Sequence, residues 1–138
     1  MAMLTPGQLA KSGTEHAHQV ALFCWAQQNT KHYPELSCMY AIPNGGQRNK
    51  AVAANLKAEG VKAGVPDICL PVRKSHSGSL YVELKRPVNS RKSGRKKGTV
   101  QQVQSEFMDK LKSTGQSVIV CYGWESAAEA ILSYLRSK

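Results

Sequence analysis

Residues 67–85 read DICLPVRKSHSGSLYVELK, and this stretch decides the fold. It contains two runs rich in strand-forming residues, Asp67–Val72 and Ser79–Lys85, separated by the polar stretch RKSHSG. Two such runs joined by a short polar connection predict a β-hairpin. Because side chains alternate between the two faces of a strand, Glu83 and Lys85 should share one face. The hairpin therefore places an acid and a lysine side by side.

Around the hairpin, the spacing of apolar residues predicts further helices and strands. Ser117–Tyr122 is apolar nearly throughout, which is typical of a central strand covered on both faces. Before the hairpin, the sequence predicts a helix beginning after Ser12 and ending before Pro34, a strand at Ser37–Ile42, a turn at Pro43–Gly46 and a helix at Arg48–Glu59. After it, a helix is predicted at Thr99–Ser113, with Val100, Val103, Phe107 and Leu111 on its buried stripe. The strand Ser117–Tyr122 and a last helix follow, and the apolar face of that helix holds Ala128, Ile131, Leu132 and Leu135.

One domain fits a chain of 138 residues, since single domains commonly have roughly 100–150. We expect this domain to span residues 12–138. Ser12-Gly-Thr-Glu15 has the spacing of a capping box, so Ser12 is the predicted N-cap of the first helix. Residues 1–11 show no sustained periodicity, and we expect them to form a flexible lead-in.

The composition argues against several classes of protein. No apolar run approaches the roughly 20 residues of a membrane span, so we expect no membrane partner. The N-terminus lacks the basic and apolar regions of a secretory signal, which indicates a cytoplasmic location. The four cysteines form no CxxC pair and lie in apolar segments, as reduced core thiols do. A structural zinc site is therefore not expected.

The charge of the chain is concentrated in one segment. Lys and Arg number 19 against 9 Asp and Glu, for a net charge of +10. A basic loop at residues 86–98 holds many of these charges and no acid, and it has the composition of a flexible segment. Such a patch favours a polyanionic partner. The expected contacts to nucleic acid are Arg86, Arg91, Lys92, Arg95, Lys96 and Lys97.

Asp67, Glu83 and Lys85 have the chemistry of a phosphodiesterase site. A divalent cation can neutralise charge on phosphorus oxygens and generate hydroxide near neutral pH, and Mg²⁺ prefers oxygen ligands. Asp67, at the start of one strand, and Glu83, near the end of its hairpin partner, could converge on one ion, with Lys85 pointing into the same cleft. Taken singly, each residue also fits an ordinary turn or a solvent-facing strand pair. Their combination with a basic loop favours the catalytic interpretation.

A resemblance adds to this interpretation. The chain resembles the VRR-NUC family, a compact branch of the PD-(D/E)xK nucleases, over about residues 13–124. The resemblance implies an α/β fold with a restriction-endonuclease-like core, in which a mixed and mostly four-stranded sheet is flanked by helices. The residues that carry it are Gly64-Val65-Pro66-Asp67, Glu83-Leu84-Lys85, and Gln104 followed by Phe107, Leu111 and Gly115.

The resemblance also implies roles for individual residues. Asp67, Glu83 and the main-chain carbonyl of Leu84 would bind the metal, and Lys85 would be the catalytic lysine. Glu15 matches an acidic residue that reaches the metal directly or through water, although the capping box offers it a purely structural role. Gln104 lies on a mostly apolar helix stripe, where an unpaired amide is costly, so it should meet a partner near the site or lie at the edge of the stripe.

The predicted function is Mg²⁺- or Mn²⁺-dependent DNA endonuclease activity, with a role in replication, recombination or repair of the kind found in phages and bacteria. Small members of the family resemble Holliday-junction resolvases, so branched DNA is the expected substrate. Paired cuts in a junction require two sites, which predicts a homodimer. Leu22, Trp25 and Trp124 are candidate interface residues. The alternatives are a restriction-like or flap-processing nuclease, a non-catalytic nucleic-acid-binding module, and a structural component of a larger assembly.

Overall fold

The computed structural model of the chain describes residues 3–43, 49–87 and 99–138. None of the helices within these ranges is long and apolar enough to cross a bilayer. The helices are α1 (Pro6–Leu9), α2 (Glu15–Asn29), α3 (Lys50–Ala58), α4 (Gln102–Ser113) and α5 (Trp124–Arg136), and the strands are β1 (Tyr40–Ala41), β2 (Ile68–Leu70), β3 (Leu80–Lys85) and β4 (Ser117–Tyr122).

The four strands form one mixed sheet in the order β1-β2-β3-β4. β1 and β3 each pair with β2 in antiparallel orientation, and β3 pairs with β4 in parallel orientation. The hairpin predicted from residues 67–85 is confirmed, with Ile68 opposite Val82 and Leu70 opposite Leu80. The predicted fold class, a mixed four-stranded sheet flanked by helices, is also confirmed.

The hydrophobic core lies between one face of the sheet and the helices α2 and α5. Alternate residues of β3, including Val82 and Leu84, pack in one cluster with Leu22 of α2 and Ile131 of α5. Their burial drives the docking of these helices, because each fully buried aliphatic side chain contributes about 1.5–3 kcal/mol. The intervening residues of β3, which include Glu83, point to the opposite face.

The strand β4 is an edge strand, and the prediction of a central strand at Ser117–Tyr122 was wrong. Within the described residues β4 pairs with β3 alone, whereas β3 pairs on both sides. The apolar sequence of β4 has a different cause, since α4 and α5 both pack against it. Central β3 combines burial on both faces with a glutamate and a lysine, a combination that apolar content alone does not identify.

The N-terminal region differs from the prediction in two respects. Residues 6–9 form helix α1, which packs against α2 and is capped by Thr5, where the sequence predicts no regular structure. The N-cap of α2 is Thr14, whose side chain accepts a hydrogen bond from Ala17 N at 3.0 Å, and Ser12 belongs to a preceding 3₁₀ turn. Glu15 is therefore the first residue of α2 and has no capping role.

Three further predictions are corrected by burial and local geometry. Residues 34–38 form a 3₁₀ turn, so the strand predicted at Ser37–Ile42 is reduced to β1. In α4, Val103 is 42 % exposed, and Met108 is the buried residue of the helix. Leu22 is fully buried in the core and cannot serve as an interface residue. Most of the turn predicted at Pro43–Gly46 lies outside the described residues.

Candidate active site

The predicted metal-binding carboxylates come together at one end of the hairpin. Asp67 directly precedes β2, and the register that pairs Ile68 with Val82 places it across from Glu83. The Asp67 Oδ2 atom accepts a hydrogen bond of 2.7 Å from the main-chain N–H of Leu84. This bond fixes the carboxyl group beside β3, because it joins the side chain to the backbone of the neighbouring strand.

Glu83, Lys85 and Gln104 form a closed network on the face of the sheet opposite the core. Lys85 Nζ lies 3.3 Å from Glu83 Oε1 and donates a hydrogen bond of 3.0 Å to Gln104 Oε1. The amide of Gln104 donates a hydrogen bond of 2.9 Å from Nε2 to Glu83 Oε1. Gln104 thus meets its partners at the site. Of the two positions predicted for it, near the site or at the edge of the apolar stripe, the structure shows the first.

Among the described residues, the second carboxyl oxygen of Glu83 accepts no hydrogen bond, and the carboxyl group lies close to that of Asp67. Glu83 is only 1 % exposed, and its Oε2 atom is buried without a hydrogen bond among the described residues. Burial, together with the nearby charge of Asp67, raises the pKa of Glu83 to about 7. An unsatisfied buried carboxylate oxygen costs free energy, so this atom is a candidate position for a ligand.

Glu15 lies at the rim of this network. Its residue is exposed, but surrounding protein raises the pKa of its carboxyl group above the ordinary value, and the charges of Lys85 and Arg86 oppose this shift. Glu15 therefore lies within the electrostatic influence of Lys85, Asp67 and Arg86. Of the predicted nucleic-acid contacts, only Arg86 falls within the described ranges, and the residues outside them are Arg91, Lys92, Arg95, Lys96 and Lys97.

The donor atoms at the site fit Mg²⁺ or Mn²⁺. Asp67 and Glu83 supply hard carboxylate oxygens, and the Glu83 Oε2 atom is available for a ligand. Within the described parts of the chain, no three His, Cys, Asp or Glu side chains form a metal-binding group, so Glu15 does not join the other two carboxylates in a close set. Mg²⁺ commonly binds through one or two carboxylates and retains several waters. Two carboxylates are therefore sufficient.

Gly64 is a positioning residue to which the sequence analysis assigned no role. Its φ is +86°, and a Cβ atom built on it would lie 2.4 Å from the main-chain oxygen of Val103. The loop before Asp67 therefore packs directly on the first turn of α4, the turn that carries Gln104. The glycine could be noticed in the sequence, but its neighbour on α4 could not.

His18 is the second residue that sequence analysis missed. It is buried, and its Nδ1 atom accepts a hydrogen bond of 3.0 Å from Trp124 N at the start of α5. Burial lowers the pKa of His18, which keeps the ring neutral and able to accept this bond. The adjacent Gly123 N donates to Lys85 O at 3.0 Å. His18 thereby ties α2 to the segment that holds the end of β3.

Replacing Gly64 with Ala should reduce DNA cleavage by about 10²-fold, because small misplacements in an active site have effects of this order. The added methyl group would displace the first turn of α4 and, with it, Gln104. Gly115→Ala is the matched control: its φ is +92°, and a Cβ there meets nothing within 4 Å. Turnover and thermal unfolding should be measured for both variants. Equal turnover in the two would remove the positioning role from Gly64.

Comparisons with known proteins identify the family of the chain. The model of the VRR-NUC domain matches residues 13–125. No curated protein matches the chain at a significant level. A solved structure described as a "VRR_NUC domain protein" is similar over 88% of this chain and 87% of that one, with 24% sequence identity and a TM-score of 0.71. The structural similarity supports the fold, and the domain match covers most of the chain. The chain therefore belongs to the VRR-NUC domain family of nucleases.

Proposed function

We propose that the protein is a Mg²⁺- or Mn²⁺-dependent DNA endonuclease whose active site contains Asp67, Glu83 and Lys85. The observation that carries this proposal is the buried Oε2 atom of Glu83, which has no hydrogen bond among the residues that the structure describes. A structural ion pair has no reason to leave one carboxylate oxygen without a partner, whereas a metal-binding carboxylate requires a free oxygen. Membership of a nuclease family gives the reaction class.

Asp67 and Glu83 would hold the metal, together with the main-chain carbonyl of Leu84. When bound, the ion supplies charge neutralisation at the phosphate and lowers the pKa of water. The protein prepares this position with two fixed carboxylates: Leu84 N–H orients Asp67, and Gln104 orients Glu83 through its Oε1 atom. Glu15, at the rim, would act on the site through water.

Lys85 would stabilise the negative charge that develops on the phosphate. Its ammonium group is held between Glu83 and Gln104, so it enters the reaction already oriented. Fixed donors of this kind stabilise a transition state more than mobile ones, because no reorganisation is needed as charge develops. Gln104 is the residue that positions both Glu83 and Lys85.

The proposed substrate is branched DNA, with a homodimer as the active species. A two-fold dimer would supply two Asp67/Glu83/Lys85 sites for paired cuts in a four-way junction. Trp25 and Trp124, which are partly buried against the core, stay as candidate interface residues. The basic loop at residues 86–98 would contribute contacts to the phosphate backbone.

Cleavage assays with labelled duplex, flap and four-way junction should show metal-dependent cutting, with the junction preferred. Each substrate should be incubated with Mg²⁺, Mn²⁺ or EDTA, and light scattering at micromolar concentration should show a dimer. Preferred cutting of a flap or a duplex sequence would favour the restriction-like or flap-processing alternative. A monomer that cuts duplex and junction equally would contradict the resolvase proposal and leave the nuclease proposal intact. Metal binding without any cleavage would favour a binding module.

A further inference from the structure

Helix α3 (Lys50–Ala58) is unusual because the folded chain does not bury it. None of its residues is buried, and Val52 is 43 % exposed. It makes no extensive packing contact with any other described helix or strand. Every other helix of eight or more residues in the described ranges buries at least one side chain.

Local interactions alone should leave such a helix only marginally stable. Isolated helices shorter than roughly 12–15 residues are marginal in water, and most helices in proteins depend on tertiary packing. Asn49 caps α3 by accepting a hydrogen bond of 2.8 Å from Val52 N, and Val61 N donates to Leu56 O at 2.9 Å just beyond its end. These caps define the ends of the helix but do not replace a packing partner.

One exposed face of α3 is basic. Lys50 and Lys57 are seven residues apart, which places them on the same face about 10.5 Å apart along the axis. Ala53 and Ala54 lie between them and are small, so a flat anionic partner could approach the helix closely. Leu56, the only half-buried residue of α3, lies on a different face, about 100° around the helix axis from Lys57. Within the described residues neither lysine forms a salt bridge.

The described segments on both sides of α3 connect to the sheet near Asp67. The segment that leads to α3 leaves the sheet at Ile42, whose N–H donates to Asp67 O at 2.7 Å. The chain then returns from α3 to Asp67 itself. The returning loop is held against α4 by the close contact between Gly64 and Val103. Both ends of the segment between Ile42 and Asp67 are therefore attached at the end of the sheet where the metal would bind.

We propose that the Lys50/Lys57 face of α3 binds the phosphate backbone of the DNA substrate, next to the cleavage site. This inference rests on the proposed function. Charge complementarity favours DNA over a second copy of the chain, because two copies would bring like charges together on a chain of net charge +10. The two lysines would hold the duplex in place without reading its sequence.

The test compares Lys50→Ala/Lys57→Ala with Lys110→Ala/Lys112→Ala. The control pair is also exposed and lies in the last turn of α4, next to the start of β4 and away from Asp67. DNA affinity should be measured in EDTA over a series of salt concentrations, so that no cleavage occurs. Log affinity falls as log salt concentration rises, and the α3 variant should make this fall less steep by about 1.8, or about 0.9 for each lost contact. The control should not change the slope.

Two outcomes would overturn the inference: an unchanged slope in the α3 variant, or an equal reduction in the control. Hydrogen exchange gives a second measurement, in which the amides of α3 should become protected when DNA is added. Protection that instead rises with protein concentration in the absence of DNA would show that a second copy covers α3. Cleavage by the wild-type protein with Mg²⁺ is scored separately, so failure of the nuclease proposal is distinguishable from failure of the α3 contact.

Discussion

Glu83→Gln and Asp67→Asn should each reduce DNA cleavage at least about 10³-fold with Mg²⁺ or Mn²⁺ saturating, while DNA affinity in EDTA stays near that of the wild type. Both substitutions keep the shape of the side chain and remove the charge that would bind the proposed metal. The amide that replaces the Glu83 carboxylate could still accept a hydrogen bond from Gln104 through its oxygen. Its nitrogen, however, would occupy the position of the unpartnered Oε2 atom and could not bind a cation.

The control for this prediction is Glu106→Gln, an isosteric change on α4. Glu106 is exposed, and its contact is a hydrogen bond of 2.9 Å from Gln102 on the surface of the same helix. Cleavage should therefore stay at the wild-type rate. Lys85→Ala should approach the loss seen in the two carboxylate variants. Wild-type turnover in any of the three active-site variants would show that the catalytic residues lie elsewhere.

The hairpin and the proximity of Asp67, Glu83 and Lys85 could be predicted from sequence because they depend on local rules. The alternation of side chains along a strand places Glu83 and Lys85 on one face, and the antiparallel register brings Asp67 opposite Glu83. These inferences needed no knowledge of distant contacts. For Gln104, whose amide lies on a mostly apolar stripe, the sequence left two positions open, and only the structure decides between them.

The predictions from sequence were wrong where contacts between distant parts of the chain decide the structure. Apolar content could not show that β4 is an edge strand, because two helices bury it from the two faces of the sheet. α1 depends on a cap from Thr5 and on packing against α2, neither of which produces periodicity in four residues. The role of Gly64 depends on a carbonyl 39 positions away in the sequence, at Val103. Such contacts are visible only in three dimensions.

Without divalent metal, the stability of the protein should fall as the pH rises from about 5 to about 8. Burial and the charge of Asp67 raise the pKa of Glu83 from 4.5 to about 7. Between these values the folded protein keeps a proton that the unfolded chain has released, so the free energy of unfolding decreases with rising pH. Above this pH range, the raised pKa of Glu83 lowers the free energy of unfolding by roughly 3 kcal/mol. Asp67 and Glu15, whose pKa values are also raised, contribute with the same sign.

Urea denaturation in EDTA at several pH values would measure this dependence, with Glu83→Gln as the control. The variant lacks the titrating group, so its stability should change less between pH 5 and 8 than that of the wild type. The difference between the two changes should be about the contribution of Glu83. Mn²⁺ should restore wild-type stability most strongly at high pH, where Glu83 is ionised, and should have little effect on the variant. Parallel curves for the two proteins would show that Glu83 ionises as readily in the folded protein as in the unfolded chain. In that case the buried Oε2 atom of Glu83 would not support a cation site.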